Sequence, residues 1–456
     1  MNMQVDLTLA RTISDTAGRR APPRGDLLDV VLIAGIFAGI GTLGWYAFHT
    51  PLFDPILSMA RRGDWGALAL RPTVLWVVMG LFLVVLRTLL WLWYSPAKPV
   101  TDDEAPLLTV IVPAYNEGAM VEQSIESAAA SDYPHGRLEI LAIDDGSTDD
   151  TWHYMARAGA RHPGLVTAIR LPENRGKRGA LAEGFRRGRG DLYVTMDSDS
   201  VIERGALRAM AGALRDPRVG AVAGKVMALN RRSGVIARML HVRFVLSFDF
   251  LRSAQSVFRT VYCCPGALAA YRASAVHEVL ERWESQRFLG VTCTYGEDRA
   301  LTNFLFDAGY DAVYQRLAVV HTLVPVTYRQ LCRMFLRWDR SFIREEIRFS
   351  RIVWRRPLAS RAAAVFETTI TNLRYPIGYA SIALWVTYAA RDPHTLIRML
   401  VAIGIASTVY SLYYLRSERS WDFIHGILYG YFSFFALTWI FPYAACTLRA
   451  RGWLTR

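Results

Sequence analysis

Two carboxylates, Asp197 and Asp199, stand one residue apart just after the apolar run 192–196. The run reads as a short buried strand, and residues i and i+2 of a strand share a face. Both acids are therefore expected to point the same way as the strand ends. Like charges so placed repel unless a cation lies between them. Oxygen donors suit a hard divalent ion, Mg²⁺ or Mn²⁺, better than zinc. A solvated loop carrying two acids would look the same in isolation, so the pair takes its meaning from three other stretches. Asp144-Asp145-Gly146-Ser147 closes a second expected strand, 138–143. Asn174-Arg175-Gly176-Lys177-Arg178-Gly179 sets a lysine among glycines, without the spacing of a P-loop. Gly296-Glu297-Asp298-Arg299 supplies a second pair of acids.

These loops need a scaffold. Residues 107–112 read as a strand broken by Pro113-Ala114-Tyr115-Asn116-Glu117-Gly118, and 120–130 as a helix. Strands follow at 138–143 and 166–170, then the lysine loop, a helix at 180–187 and the strand before Asp197. Alternation of this kind predicts an α/β domain over 105–325, a mostly parallel sheet with helices on both faces. Ligands of such sheets bind at the carboxyl ends of the strands, where the acidic and glycine-bearing loops fall.

The chain has 456 residues, 52% of them hydrophobic, and a formal net charge of +13. Its apolar residues concentrate at the two ends. Residues 1–26 read as a disordered cytosolic segment without a signal peptide, and 27–95 as two transmembrane helices, 28–48 and 73–94. Arg87 lies inside the second, either snorkelling to the interface or lining a pore. Three further stretches, 373–389, 396–415 and 424–446, fall within 361–447. Five spans would leave the basic tail 448–456 outside, against the positive-inside tendency, so 361–447 is read as three or four spans and the total as five or six. Residues 234–258 and the basic, aromatic part of 326–360 have the pattern of amphipathic interface helices, or of helices packed on the protein's own core. The arginines flank apolar segments, so the charge reads as topology and attraction to anionic lipid and phosphate, with no nucleic acid among the partners. Five cysteines show no metal-ligand spacing and read as reduced thiols.

In order, Val110-Ile111-Val112-Pro113-Ala114-Tyr115-Asn116-Glu117, Asp144-Asp145-Gly146-Ser147, Asn174 to Arg178, Asp197-Ser198-Asp199, Gly296 to Arg299 and Arg337-Trp338 resemble the motifs of family-2 glycosyltransferases with a GT-A fold. Among these the chain is most similar to the processive membrane synthases of the hyaluronan synthase and Nod-factor chitooligosaccharide synthase group, from about residue 70 onward.

The resemblance implies an inverting transfer from a UDP-sugar to a growing, β-linked polysaccharide at the cytoplasmic face of the inner membrane. It implies that Ala114, Tyr115, Glu117, Asp144 and Asp145 hold the nucleoside, that Lys177 and Arg337 meet the diphosphate, and that Asp199, with Asp197, takes Mg²⁺ or Mn²⁺. Asp298 becomes the base, with Glu297 and Arg299 beside it. Glu297 and Arg299, with Cys264, Gly266, Lys225 and Trp338, then face the acceptor. Four positions depart from the group's pattern: Lys225 where an acid is common, Pro265 and Ala267 in the Cys263–Leu268 loop, and Met334 where Gln opens the Gln-x-x-Arg-Trp signature. A non-processive, lipid-linked transferase is the alternative enzyme, and a catalytically impaired nucleotide-binding membrane scaffold the alternative of another class.

Overall fold

The computed structural model describes residues 27–49, 58–59, 62–64, 66 and 71–450. The expected disordered segment 1–26 and positions 451–456 of the basic tail lie outside the described residues. The chain divides into two compact units: one contains Tyr94–Ser360 and Trp439–Arg456, the other Pro23–Trp93 and Arg361–Thr438.

The second unit is helical and opens with α1 (Leu27–His49) and α2 (Pro72–Trp93). Pro72 sits at the first position of α2, where a missing N–H leaves no bond unmade.

The first unit begins with β1 (Leu108–Ala114), α3 (Met120–Ala129), β2 (Leu138–Asp144), α4 (Thr151–Arg161), β3 (Val166–Arg170), α5 (Gly176–Arg187) and β4 (Leu192–Thr195). It continues through β5 (Ser200–Ile202), α6 (Ala206–Ala213), β6 (Val219–Ala228), α7 (Val235–Val245), a wide helical turn at Leu246–Leu251 and α8 (Arg252–Val257). Then come β7 (Ala269–Arg272), α9 (Ala273–Glu284), the hairpin β8 (Arg287–Phe288) and β9 (Val291–Thr292), α10 (Glu297–Asp307), β10 (Asp311–Thr322) and α11 (Tyr328–Ile352).

One eight-stranded sheet, in the order β3-β2-β1-β4-β7-β6-β10-β5, organises this unit. The expected parallel arrangement holds from β3 to β4 and again between β6 and β10. β7 enters antiparallel to both neighbours, and β5 antiparallel to β10, so the sheet is mixed. β1 and β2 are buried along their whole length, as strands covered by helices on both faces are. That is why they read as mainly apolar stretches, with Thr109 and Glu139 as the buried polar exceptions.

Segment 234–258 packs inward. α7 buries Met239, Leu240, Val242 and Phe244 and lies against β6, so the apolar side read as an interface surface serves this unit's own core.

The remaining helices are α12 (Leu358–Arg391), α13 (His394–Glu418), α14 (Phe423–Phe432), continued by a wide turn at Ser433–Leu437, and α15 (Ile440–Cys446). Among the described residues, Val74–Trp93 and His394–Glu418 are long and apolar enough to cross a membrane, and Phe423–Leu437 with Ile440–Cys446 forms a third such length, bent by 43°. In the helical unit the Arg87 guanidinium pairs with buried Glu367 of α12 and donates to Thr371 Oγ1 at 3.0 Å. An acid 280 positions away could not be matched to it by spacing.

Candidate active site

The donor side is built where β1 and β2 end together. Ala114 pairs in register with Asp144, and the Asp145 N–H donates to the Ala114 carbonyl at 2.8 Å. The loop after β1 is fastened by its backbone: Asn116 N–H donates to Ser147 Oγ at 3.0 Å and Glu117 N–H to Thr151 Oγ1 at 2.8 Å. Tyr115 is left 40% exposed at the rim. Asp144 builds the turn, accepting from Ser147 N–H at 2.9 Å and pairing with Arg170 at 3.2 Å. Asp145 accepts from Arg175 N–H at 2.8 Å. Burial, opposed by the Arg175 and Gly176 amides and helped by the Asp144 charge, lifts its carboxyl to about 6.

The two central acids do not share a strand face. β4 stops at Thr195, and Asp197 to Asp199 form the turn that leads into β5. The turn sends the carboxylates to different partners. Asp197 bonds the Lys177 ammonium, whereas Asp199 accepts from Thr322 Oγ1 of β10 at 3.1 Å and from Ser200 Oγ at 3.3 Å. Burial first, then the charges of Asp197 and Glu117, push the Asp199 carboxyl up to about 7. A divalent cation would offset both of those charges, so the donor set fits a hard ion. Among the described residues no group of three or more His, Cys, Asp or Glu side chains is gathered as a ready ligand shell.

Lys177 joins the two acidic motifs. From the first turn of α5 its ammonium reaches Asp197 and stands 3.0 Å from Glu297. Burial alone would lower its pKa, yet the two carboxylates raise it, so it stays charged. Burial would likewise raise Glu297, but Lys177, with a smaller attraction from Arg337, holds it down at about 2.

Asp298 follows at the start of α10. The helix begins at Glu297, because Gly296 turns the chain with φ +72. A Cβ at Gly296 would collide with Ser341 Cβ, so the site needs both the left-handed backbone and the missing side chain. Asp298 Oδ1 accepts from Arg299 N–H at 2.7 Å, and Oδ2 from Gly266 N–H at 3.2 Å. Burial and the neighbouring Glu297 raise its pKa. Lys177, Thr195, Met196, Gly266, Glu297 and Asp298 all line one small cavity.

α11 carries the Arg-Trp motif and starts with a full capping box: Gln330 N–H donates to Thr327 Oγ1 while the Gln330 side chain returns to Thr327 N–H, each at 3.3 Å. Trp338 lies against Phe244 and Phe335, ring centroids 6.0 and 5.6 Å away. Met334 is buried. Arg299 turns from the cavity to α11, pairing with Glu346 and lying 4.4 Å over the Phe342 ring. Lys225 is drawn to buried Asp249 at 4.0 Å. Cys264 is buried, its N–H donating to Thr302 Oγ1 at 3.2 Å. Sequence reasoning gave Thr302, Thr322 and Glu345 no role at the site, although Thr302 stands one helical turn after Asp298 and Glu345 closes the Ser341–Glu345 stretch after the Arg-Trp motif.

A family model described as glycosyl transferase family 2 matches residues 109–280. An N-acetylglucosaminyltransferase of Azorhizobium caulinodans is 32% identical over 79% of this chain and 89% of its own. The chain belongs to glycosyl transferase family 2. A hyaluronan synthase of Streptococcus pyogenes is 30% identical over 83% of this chain and 90% of its own. Among solved structures, the mannosyltransferase PcManGT from Pyrobaculum calidifontis, determined with GDP-Man and Mn²⁺, matches 79% of this chain and 99% of its own with TM-score 0.57 and 21% identity. That likeness supports the GT-A fold; family and sequence relatives make the protein a glycosyltransferase.

Proposed function

We propose that this family-2 enzyme is a membrane-embedded, processive synthase that adds sugars from UDP-sugars to a β-linked polysaccharide, GlcNAc-containing and hyaluronan- or chitin-like, and passes the chain outward through its own spans. The observation that carries it is the convergence of Lys177, Glu297 and Asp298 on one cavity, with Asp197 bonded to the same Lys177 ammonium, in a chain whose relatives over most of its length are named for N-acetylglucosaminyl transfer and hyaluronan synthesis. Two or three span-length helices among the described residues support a place in a membrane, which in this reading is the cytoplasmic membrane with the site facing the cytosol.

In this reading Ala114, Tyr115, Glu117, Asp144 and Asp145 surround the nucleoside. Asp199 with Asp197 would hold Mg²⁺ or Mn²⁺, which when bound neutralises charge on the leaving diphosphate. Lys177 and Arg337 add fixed positive charge on the same side. Asp298 takes the proton from the acceptor hydroxyl as that oxygen attacks the anomeric carbon, in a single inverting displacement. Trp338 offers a ring face to the acceptor sugar, and Gly266 the small-residue loop beside it. Arg299, Lys225 and Cys264 act on the acceptor side through their partners.

The test is a donor panel. Membrane vesicles carrying the full chain are fed labelled UDP-GlcNAc, UDP-GlcA and UDP-Glc, singly and in pairs, and products are sized. A ladder or long polymer from UDP-GlcNAc, alone or with a second donor, is expected. Product confined to a single-sugar glycolipid would replace this reading with a non-processive transferase.

A further inference from the structure

The loop between α8 and β7 touches the proposed base from a side that none of the assigned roles explains. Cys263 Sγ lies 3.6 Å from Asp298 Oδ2, the same oxygen that takes the Gly266 N–H at 3.2 Å. Between them the Cys264 N–H donates to Thr302 Oγ1 at 3.2 Å, and that hydroxyl donates to the Asp298 carbonyl at 2.9 Å. Residues 263, 264 and 266 thus all fasten to one turn of α10. On its other flank the loop meets the donor side: a Cβ on Gly266 would stand 2.6 Å from Lys177 Nζ and 3.1 Å from Asp197 Oδ1.

We propose that the Cys263 thiol is a positioning residue for Asp298, its S–H holding Oδ2 so that the carboxylate is fixed in register with the donor side that Gly266 abuts. The proposal rests on the reading of Asp298 as the base.

A carboxylate at a helix start has two torsions free to swing. Arg299 N–H holds Oδ1 from within the helix, whereas Cys263 and Gly266 hold Oδ2 from a separate element. Burial and the Asp298 charge raise the Cys263 thiol well above its ordinary pKa, so it keeps the proton that it donates. That state suits a hydrogen-bond donor and excludes a nucleophile. Serine in its place would keep a donor and alanine would not.

The experiment compares Cys263→Ala, Cys263→Ser and Asp298→Asn in the full chain in membranes, reading kcat, the KM for UDP-sugar and UDP binding. Cys263→Ala is expected to lower kcat roughly tenfold, the rate equivalent of one hydrogen bond, with donor KM and UDP binding unchanged. Cys263→Ser is expected to recover most of the loss. Wild-type kcat in Cys263→Ala, or equal losses in Ala and Ser, would overturn the proposal. Loss of UDP binding in Cys263→Ala would overturn it too, by making Cys263 a packing residue. If Asp298→Asn keeps full turnover, the base assignment itself fails; if Asp298→Asn is inactive and Cys263→Ala is not impaired, only the positioning role fails.

Discussion

At the scale of single residues the site is an alternation of charge. Asp145, Asp197, Asp199, Glu297 and Asp298 would repel one another, and Lys177 is the cation that two of them share. Asp197 and Asp199 do not act as a bare pair: Asp197 goes to Lys177, leaving Asp199 raised to about 7 beside its acidic neighbours. Chelation with EDTA is accordingly expected to stop transfer and added Mn²⁺ or Mg²⁺ to restore it, while Asp199→Asn should lose at least about a hundredfold in kcat, the scale of a lost charge-stabilising contact. Persistent turnover in a chelator would refute the metal role. The base carries a second prediction. Asp298 is raised by burial and by Glu297, so kcat should fall with decreasing pH at a higher pH than an ordinary carboxylate would give. Glu297→Gln removes one of the negative charges that face it, alongside Asp197, while Lys177 remains. The Asp298 pKa then drops, and the acid limb of the kcat profile is expected to move to lower pH. An unmoved or upward-shifted limb would contradict the part given to Glu297.

At the scale of elements, the site depends on how α10, α11 and the β8–β9 hairpin are tied. Glu345 of α11 is fully buried and accepts from Gln286 Nε2 at 2.8 Å, Asn303 Nδ2 at 3.1 Å and Arg344 Nε at 2.9 Å. Arg344 in turn donates to the Tyr295 carbonyl at 2.6 Å, just before Gly296. Glu345→Ala leaves the buried Arg344 uncompensated and is expected to cost about 3–5 kcal/mol, read as a lower Tm of the detergent-solubilised protein. A Tm within error of wild type would show that the network is not what holds α10 to α11. Much of the scaffold was legible beforehand. β1 to β4 and their loops follow from mainly apolar stretches closed by Gly, Asp and Pro, and β1, β2 and β4 are buried along their whole length. β7 and β5 were not legible: four and three residues are too short for periodicity, and their antiparallel entry depends on distant partners. The roles of Arg299 and Lys225 were hidden for the same reason, since Glu346 and Asp249 reach them across the fold.

At the scale of the whole molecule, the sheet-bearing unit holds the proposed site and the helical unit holds Val74–Trp93 and His394–Glu418, the two span-length helices among the described residues. Hydropathy located the helices, but not the pairing of Arg87 with Glu367, whose side chains are 12% and 5% exposed. Arg87→Ala leaves that acid uncompensated and is expected to destabilise the helical unit by about 3–5 kcal/mol, with the exchange Arg87→Glu/Glu367→Arg regaining part of the loss in thermal unfolding. Additive losses in the exchanged pair would show that the two residues act independently.

The central claim is that Asp298 is the base of a single transfer site whose donor side is formed by Lys177, Asp197 and Asp199. The most direct measurement pairs UDP binding with polymer formation for Asp298→Asn in membrane vesicles supplied with labelled UDP-GlcNAc, with and without a second UDP-sugar. UDP binding within about twofold of wild type, together with loss of polymer by at least about a thousandfold, is the predicted result for removing a general base. Undiminished polymer synthesis by Asp298→Asn would contradict it.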